Sequence, residues 1–170
     1  MPPRFLIVMG VSACGKTSVG RALASRLGWD FYDADDFHPQ ENIAKMSAGI
    51  ALDDDDRAPW LATLHGLIAS CLARDRPGVL ACSALKERYR QVLLAGNPGV
   101  EIVYLRGSYD LICSRIAARP GHYMKPAMLR GQFEDLEEPA GALTVDAGLS
   151  VDEIVDSVIR LLGEAASASS

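Results

Sequence analysis

The sequence predicts an α/β fold: a five-stranded parallel sheet with helices on both faces. Three observations carry this. Short runs that read as buried strands recur at 4–9, 29–33, 78–82, 101–105 and 143–146. Segments with apolar residues at helical spacing lie between them. The first strand meets the first helix at Gly10-Val11-Ser12-Ala13-Cys14-Gly15-Lys16-Thr17, a glycine-bounded turn ending in Lys-Thr. Strands alternating with helices pair in parallel, and ligands of such sheets gather at the carboxyl ends of the strands.

The elements follow in order. Phe5-Leu6-Ile7-Val8-Met9 is an unbroken apolar run, and the helix after the turn carries Val19, Ala22, Leu23 and Leu27 on one face. The second strand runs into Asp33-Ala34-Asp35-Asp36-Phe37-His38-Pro39. Pro59 sits as at a favoured first-turn position, so a helix is expected to open there, with Leu61, Leu64, Ile68 and Leu72 on its apolar face. The third strand ends Val79-Leu80-Ala81-Cys82-Ser83, and a helix over 86–95 stops at Gly96. Ser108 caps a helix over 109–119, and Pro120-Gly121-His122 breaks it into a mobile loop. Ser150 and Glu153 form a capping box for the last helix, whose apolar face holds Ile154, Val155, Val158 and Leu162. One domain is expected over 1–164, followed by a disordered tail at 165–170.

Composition excludes several classes. The 170 residues carry a formal net charge of −5, which gives no footprint for nucleic acid or for an anionic membrane. No apolar run approaches the roughly 20 residues of a membrane span. The N-terminus leads straight into the first strand, so no secretion signal is expected. Cys14, Cys71, Cys82 and Cys113 are scattered and form no Cys-x-x-Cys, so a reducing cytoplasm fits and zinc does not. Cys14 lies near a helix N-terminus and is a candidate reactive thiol; the other three read as core residues. His38, His65 and His122 lack metal-ligand spacing.

The glycine turn fits the phosphate-binding pattern G-x-x-x-x-G-K-[ST] at every fixed position. Such a loop turns backbone N–H groups toward phosphate oxygens at a helix N-terminus. Lys16 reaches the outer phosphates and the Thr17 hydroxyl holds Mg²⁺ in this pattern. Asp33 and Asp35 project to one side of an extended chain. One carboxylate can orient Mg²⁺ or its waters, and the other can take a proton from an attacking hydroxyl. The third strand ends without the Asp that many nucleotide hydrolases use for metal, so Asp33 or Asp35 is expected to serve it.

Asp53-Asp54-Asp55-Asp56 reads as a solvated face, closed by Arg57. Two readings of Arg57 stand: a bidentate clamp on a carboxylate, or a partner of its acidic neighbours. Lys86 and Arg90 lie four apart, as do Arg115 and Arg119. The first pair faces either the carboxyl edge of the sheet or solvent. The second belongs either to a closing lid, where arginines stabilise a transferring phosphoryl group, or to the surface.

At this point the chain resembles the P-loop gluconokinases. The likeness runs through Gly10–Thr17, Asp33–Pro39, Asn42, Lys45-Met46, Gly49, Leu52, Asp54, Asp56-Arg57 and Pro59-Trp60-Leu61. It continues through Cys82–Lys86, Tyr89-Arg90, Val103-Tyr104-Leu105, Gly107, Arg115, Arg119, His122-Tyr123-Met124 and Gln132-Phe133. The resemblance implies a three-layer, nucleoside-monophosphate-kinase-like fold with a lid at about 115–130, often as a homodimer. It implies ATP-dependent phosphorylation of D-gluconate at its 6-hydroxyl, with Mg²⁺. By that likeness Lys16, Asp35 and Arg119 are the catalytic set, with Asp35 as base. Gly10, Val11, Ser12, Ala13, Cys14, Gly15, Lys16, Thr17 and Arg115 bind nucleotide, with the loop at Ala147-Gly148 also near adenine. Asp35, His38, Arg57, Lys86 and Arg90 hold the sugar acid, and Thr17 and Asp33 the metal. Cys14 and Arg130 depart from the small residues usual at their positions. A shikimate kinase, a nucleotide kinase and a nucleotide-binding module without turnover are the competing readings. The first usually carries Gly-Gly-Gly where this chain has Ser83-Ala84-Leu85-Lys86.

Overall fold

The computed structural model describes residues 2–121 and 125–169. Its strands are β1 (Phe5–Met9), β2 (Asp30–Asp33), β3 (Gly78–Ala81), β4 (Val100–Arg106) and β5 (Leu143–Asp146). They form one sheet in the order β2-β3-β1-β4-β5, with every pairing parallel. The strand ends stay within one residue of those expected from sequence.

The core is split by β1, all of whose residues are buried. Side chains alternate across a strand, so β1 serves two clusters. Leu6 and Val8 pack with Val19 and Leu23 of α1 (Lys16–Leu27) and with Val155 and Val158 of α7 (Val151–Ala168). Phe5, Ile7 and Met9 face the other way, onto Leu64 and Ile68 of α3 (Asp54–Ala73) and Leu93 of α4 (Glu87–Leu94). Each fully buried Leu or Ile contributes roughly 1.5–3 kcal/mol. Register then fixes the functional edge. Asp33 pairs with Ala81, and Ala81 with Val8, so the loops after β1, β2 and β3 open on the same side.

The helices depart from expectation in four places. Pro59 does not open a helix: α3 starts at Asp54 and contains Pro59. The start is set by Asp53, whose carboxylate accepts from Asp56 N at 2.8 Å, while Asp56 Oδ2 accepts from Asp53 N at 3.0 Å. This capping box, with acids against the helix dipole, outweighs the proline signal. Two further helices, α2 (Gln40–Ser47) and α6 (Pro126–Asp135), were not expected. The tail read as disordered is instead helical to Ala168, as a continuation of α7. The other caps are as expected: Ser108 Oγ accepts from Leu111 N, and Ser150 pairs reciprocally with Glu153. Between α5 (Tyr109–Ala118) and α6, the expected break keeps Pro120 and Gly121; His122, Tyr123 and Met124 lie outside the described residues. No described helix is long and apolar enough to cross a membrane.

Candidate active site

The loop after β1 is shaped by glycine. Gly10 adopts φ +152°, and a Cβ there would lie 2.7 Å from Cys14 Sγ and 2.9 Å from the Leu105 carbonyl oxygen. Gly15, at φ +102°, gives α1 no side-chain cap, which leaves the helix N-terminus to anions. Lys16 Nζ donates to the Val11 carbonyl at 2.9 Å. Ser12 N donates to Gln132 Oε1 at 2.8 Å, and Gln132 Nε2 donates back to Ser12 Oγ at 2.8 Å, so α6 grips the loop. Thr17 Oγ1 donates to Asp33 Oδ2 at 3.1 Å. Cys14, expected as a reactive thiol, is instead fully buried against Gly10, where reagents in solution do not reach it.

Asp33 and Asp35 are brought together by a mechanism other than strand alternation. β2 ends at Asp33, which caps a 3₁₀ turn (Ala34–Phe37) by accepting from Asp35 N at 3.0 Å. Both carboxylates nevertheless line one cleft of about 790 Å³, together with Lys16 and Thr17. The pKa of Asp35 is raised, first by the cleft walls around it and then by the Asp33 carboxylate; Lys16 and His38 act in the opposite sense.

The far end of the cleft is built from side chains. The His38 ring stacks on Trp60 with centroids 4.3 Å apart, and Trp60 Nε1 donates to the Ala34 carbonyl at 2.7 Å. Buried Asn42 links α2 to this pair: its Nδ2 lies 3.2 Å from His38 Nδ1 and donates to the Asp56 carbonyl at 2.9 Å. With Nδ1 accepting, a neutral His38 carries its proton on Nε2, 3.9 Å from Asp35 Oδ1. Burial holds the His38 pKa below its ordinary value; Arg57 adds to this and Asp35 opposes it.

Arg57 also lines the cleft. It pairs with none of the acids before it. Asp53 caps α3, Asp56 holds Lys45 at 2.7 Å, and Asp54 holds Lys86 at 3.3 Å and Arg88 at 2.6 Å. The run expected as a solvated face is therefore largely engaged. Arg57 Nη1 donates instead to the Tyr89 hydroxyl at 2.9 Å.

Arg119 joins the same cleft, as do Ser12, Ala13 and Gly15 of the loop. Six expected residues do not line it: Lys86, Arg90 and Arg115, and Gly10, Val11 and Cys14 of the loop. Arg90 is 1% exposed and does not reach the cleft. Its guanidinium donates to the carbonyls of Ala84, Leu85 and Glu137 at 2.7, 3.0 and 2.7 Å, and to Glu87. Lys86 is the extended N-cap of α4, so the four-residue spacing to Arg90 does not put the two on one helix face. Arg115 and Arg119 part for the same reason, because Arg119 is the extended C-cap of α5. Arg115 donates to the Cys14 carbonyl at 3.1 Å and to the Ala147 carbonyl, which joins the phosphate loop to the loop after β5. Gly10, Val11 and Cys14 shape the loop from beneath rather than line the cleft.

Sequence reasoning gave no role to Gln132, Trp60, Asn42, Tyr89 or Asp54. Their signal is spatial: the first four each bind a cleft residue from another element, and Asp54 reaches the cleft's Arg57 through Tyr89.

Comparison with known proteins gives the family. The family model described as Shikimate kinase matches residues 12–161. Together with the sheet order and the phosphate loop, the match defines a P-loop small-molecule kinase. A probable gluconokinase of Mus musculus is 43% identical over 180 residues, covering 94% of this chain and 98% of the mouse protein. A thermoresistant gluconokinase of Escherichia coli is 41% identical over 160 residues, covering 92% and 91%. The crystal structure of a gluconokinase from Sinorhizobium meliloti superposes with TM-score 0.89 at 42% identity, covering 98% of this chain and 95% of the other. The chain belongs to the gluconokinase family. A shikimate kinase from Aquifex aeolicus, at TM-score 0.64 and 16% identity, shares the fold alone.

Proposed function

We propose that this chain transfers the γ-phosphoryl group of ATP to the 6-hydroxyl of D-gluconate, giving 6-phospho-D-gluconate and ADP. The observation that carries the reading is a single cleft with two chemically distinct ends. One holds the phosphate loop, Asp33 and Asp35; the other holds Arg57, with no carboxylate partner among the described residues, beside His38 and Trp60. That polarity suits a triphosphate at one end and a carboxylate-bearing polyol at the other.

Asp35 accepts the proton of the acceptor hydroxyl as its oxygen bonds to the γ-phosphorus and the bond to the ADP oxygen breaks. Lys16 and Arg119 stabilise the charge on the transferring group. Arg57 fixes the substrate carboxylate and His38 contacts the sugar chain. Arg115 borders the nucleotide through the Cys14 and Ala147 carbonyls. Thr17 and Asp33 converge two hard oxygens at 3.1 Å, a donor set that fits Mg²⁺. When bound there, Mg²⁺ neutralises charge across the phosphates. The described parts of the segment 115–130 supply Arg119, Ala127 and Met128 to the cleft wall, as a lid would. The four free cysteines suit a reducing cytoplasm.

ADP release with Mg²⁺-ATP, compared across D-gluconate, shikimate, other sugar acids and no acceptor, tests the reading. Turnover confined to gluconate is the expected result. Turnover with shikimate, or ATP binding without acceptor-dependent turnover, overturns it.

A further inference from the structure

Tyr89 is 5% exposed and lies on α4, yet its hydroxyl joins two residues from the first turns of α3. It donates to Asp54 Oδ1 and accepts from Arg57 Nη1 at 2.9 Å. A phenol has one proton. Once that proton is given to Asp54, the lone pairs turn toward Arg57. The Arg57 guanidinium carbon also lies 5.5 Å from the centre of the Tyr89 ring, with Lys86 Nζ 5.7 Å from the same centre. Among the described residues this is the one side-chain hydrogen bond of Arg57, so most of its fork is left for the cleft it lines.

The chemistry of the link matters as much as its geometry. A carboxylate bonded directly to Arg57 would orient the guanidinium and also cancel its charge. A neutral phenol orients without cancelling. The carboxylate that pins the phenol is neutralised in turn by Lys86, 3.3 Å from the same Oδ1, and by Arg88, 2.6 Å from Oδ2. Two cations thus neutralise one acid, and Arg57, bonded to the phenol rather than to a carboxylate, keeps its own charge at the cleft it lines.

We propose that Tyr89 and Asp54 are positioning residues that aim Arg57 at the substrate carboxylate while leaving its charge intact. The inference rests on the reading of Arg57 as the carboxylate clamp.

Steady-state kinetics of Tyr89→Phe, Asp54→Asn, Arg57→Ala and the double variant Arg57→Ala/Tyr89→Phe test it. Tyr89→Phe keeps the ring and deletes the hydroxyl. It is expected to raise KM for gluconate about tenfold, the scale of one hydrogen bond to a charged group, with KM for ATP unchanged and kcat lowered less. Asp54→Asn moves KM for gluconate in the same direction. In the Arg57→Ala background, Tyr89→Phe adds little, because the side chain it aims is gone. If Arg57→Ala raises KM for gluconate while Tyr89→Phe and Asp54→Asn do not, the positioning role is overturned and the clamp stands. If the Tyr89→Phe effect is additive with Arg57→Ala, or falls equally on ATP, the role is structural and the inference is likewise overturned. If Arg57→Ala leaves KM for gluconate unchanged, the clamp reading itself fails.

Discussion

The two ends of the cleft are built by different means. At the phosphate end the loop itself is one contiguous stretch of chain, and its shape is set by backbone: two glycines at positive φ and the N-terminus of α1. The acceptor end is assembled from side chains of four places, with His38 after the 3₁₀ turn, Asn42 on α2, Arg57 and Trp60 on α3 and Tyr89 on α4. Each is held by another side chain or by a distant carbonyl. A backbone site is specified by spacing along the chain. A side-chain site is specified by packing, and that is where substrates of related kinases can diverge.

The sharpest break in this comparison is expected where the ends meet, at Asp35. Asp35→Asn should lower kcat about a thousandfold, within the range of general-base contributions, and leave KM for ATP nearly unchanged. A defect confined to ATP binding would move Asp35 to the metal's shell. The wild-type acid limb of kcat/KM should lie above the ordinary carboxylate value of 3.8, because the base form is needed and the Asp35 pKa is raised. Activity is then lost as pH falls through that raised value, and a limb at or below 3.8 would separate Asp35 from the base role.

Lys16→Ala comes next, with phosphoryl transfer down about 100- to 1,000-fold and the circular dichroism spectrum unchanged. A near-normal rate would remove Lys16 from the mechanism. Arg90→Met tests a residue that holds the site without lining it. Three carbonyls lose a donor, and stability by denaturant titration should fall about 3 kcal/mol while KM for gluconate per folded enzyme stays put. A KM effect without destabilisation would return Arg90 to the substrate. The smallest effect is expected at Gln132, whose Oε1 takes the Ser12 N–H as a phosphate oxygen would. Gln132→Ala should tighten ATP binding roughly threefold by calorimetry, the scale of one neutral hydrogen bond. Weaker binding would show that Gln132 stays with the nucleotide.

Legibility in the sequence followed the same division. The strands, the phosphate loop and the Ser108 and Ser150 caps were readable because each depends on neighbours in the chain. α2 was missed because it spans 8 residues and its N-cap, Pro39, makes no side-chain hydrogen bond. The start of α3 was not legible because Pro59 is a first-turn signal, whereas Asp53 and Asp56 depart from the Ser/Thr-x-x-Glu/Gln pattern of a capping box. The cationic pairs misled where a cap intervened: helical spacing has no meaning once Lys86 or Arg119 leaves the helix. Arg57 could not be settled from sequence, since freedom from the acids beside it depends on Lys45, Lys86 and Arg88 reaching them first.

The grip of Lys16 on Val11 and of Gln132 on Ser12 has a calorimetric consequence. A triphosphate that takes over this lysine and this N–H replaces two existing hydrogen bonds rather than adding two. The heat released on ATP binding should therefore fall short of what a tally of its phosphate contacts would suggest. The displaced Val11 carbonyl and Gln132 amide recover part of that loss where water or new partners meet them in the same step.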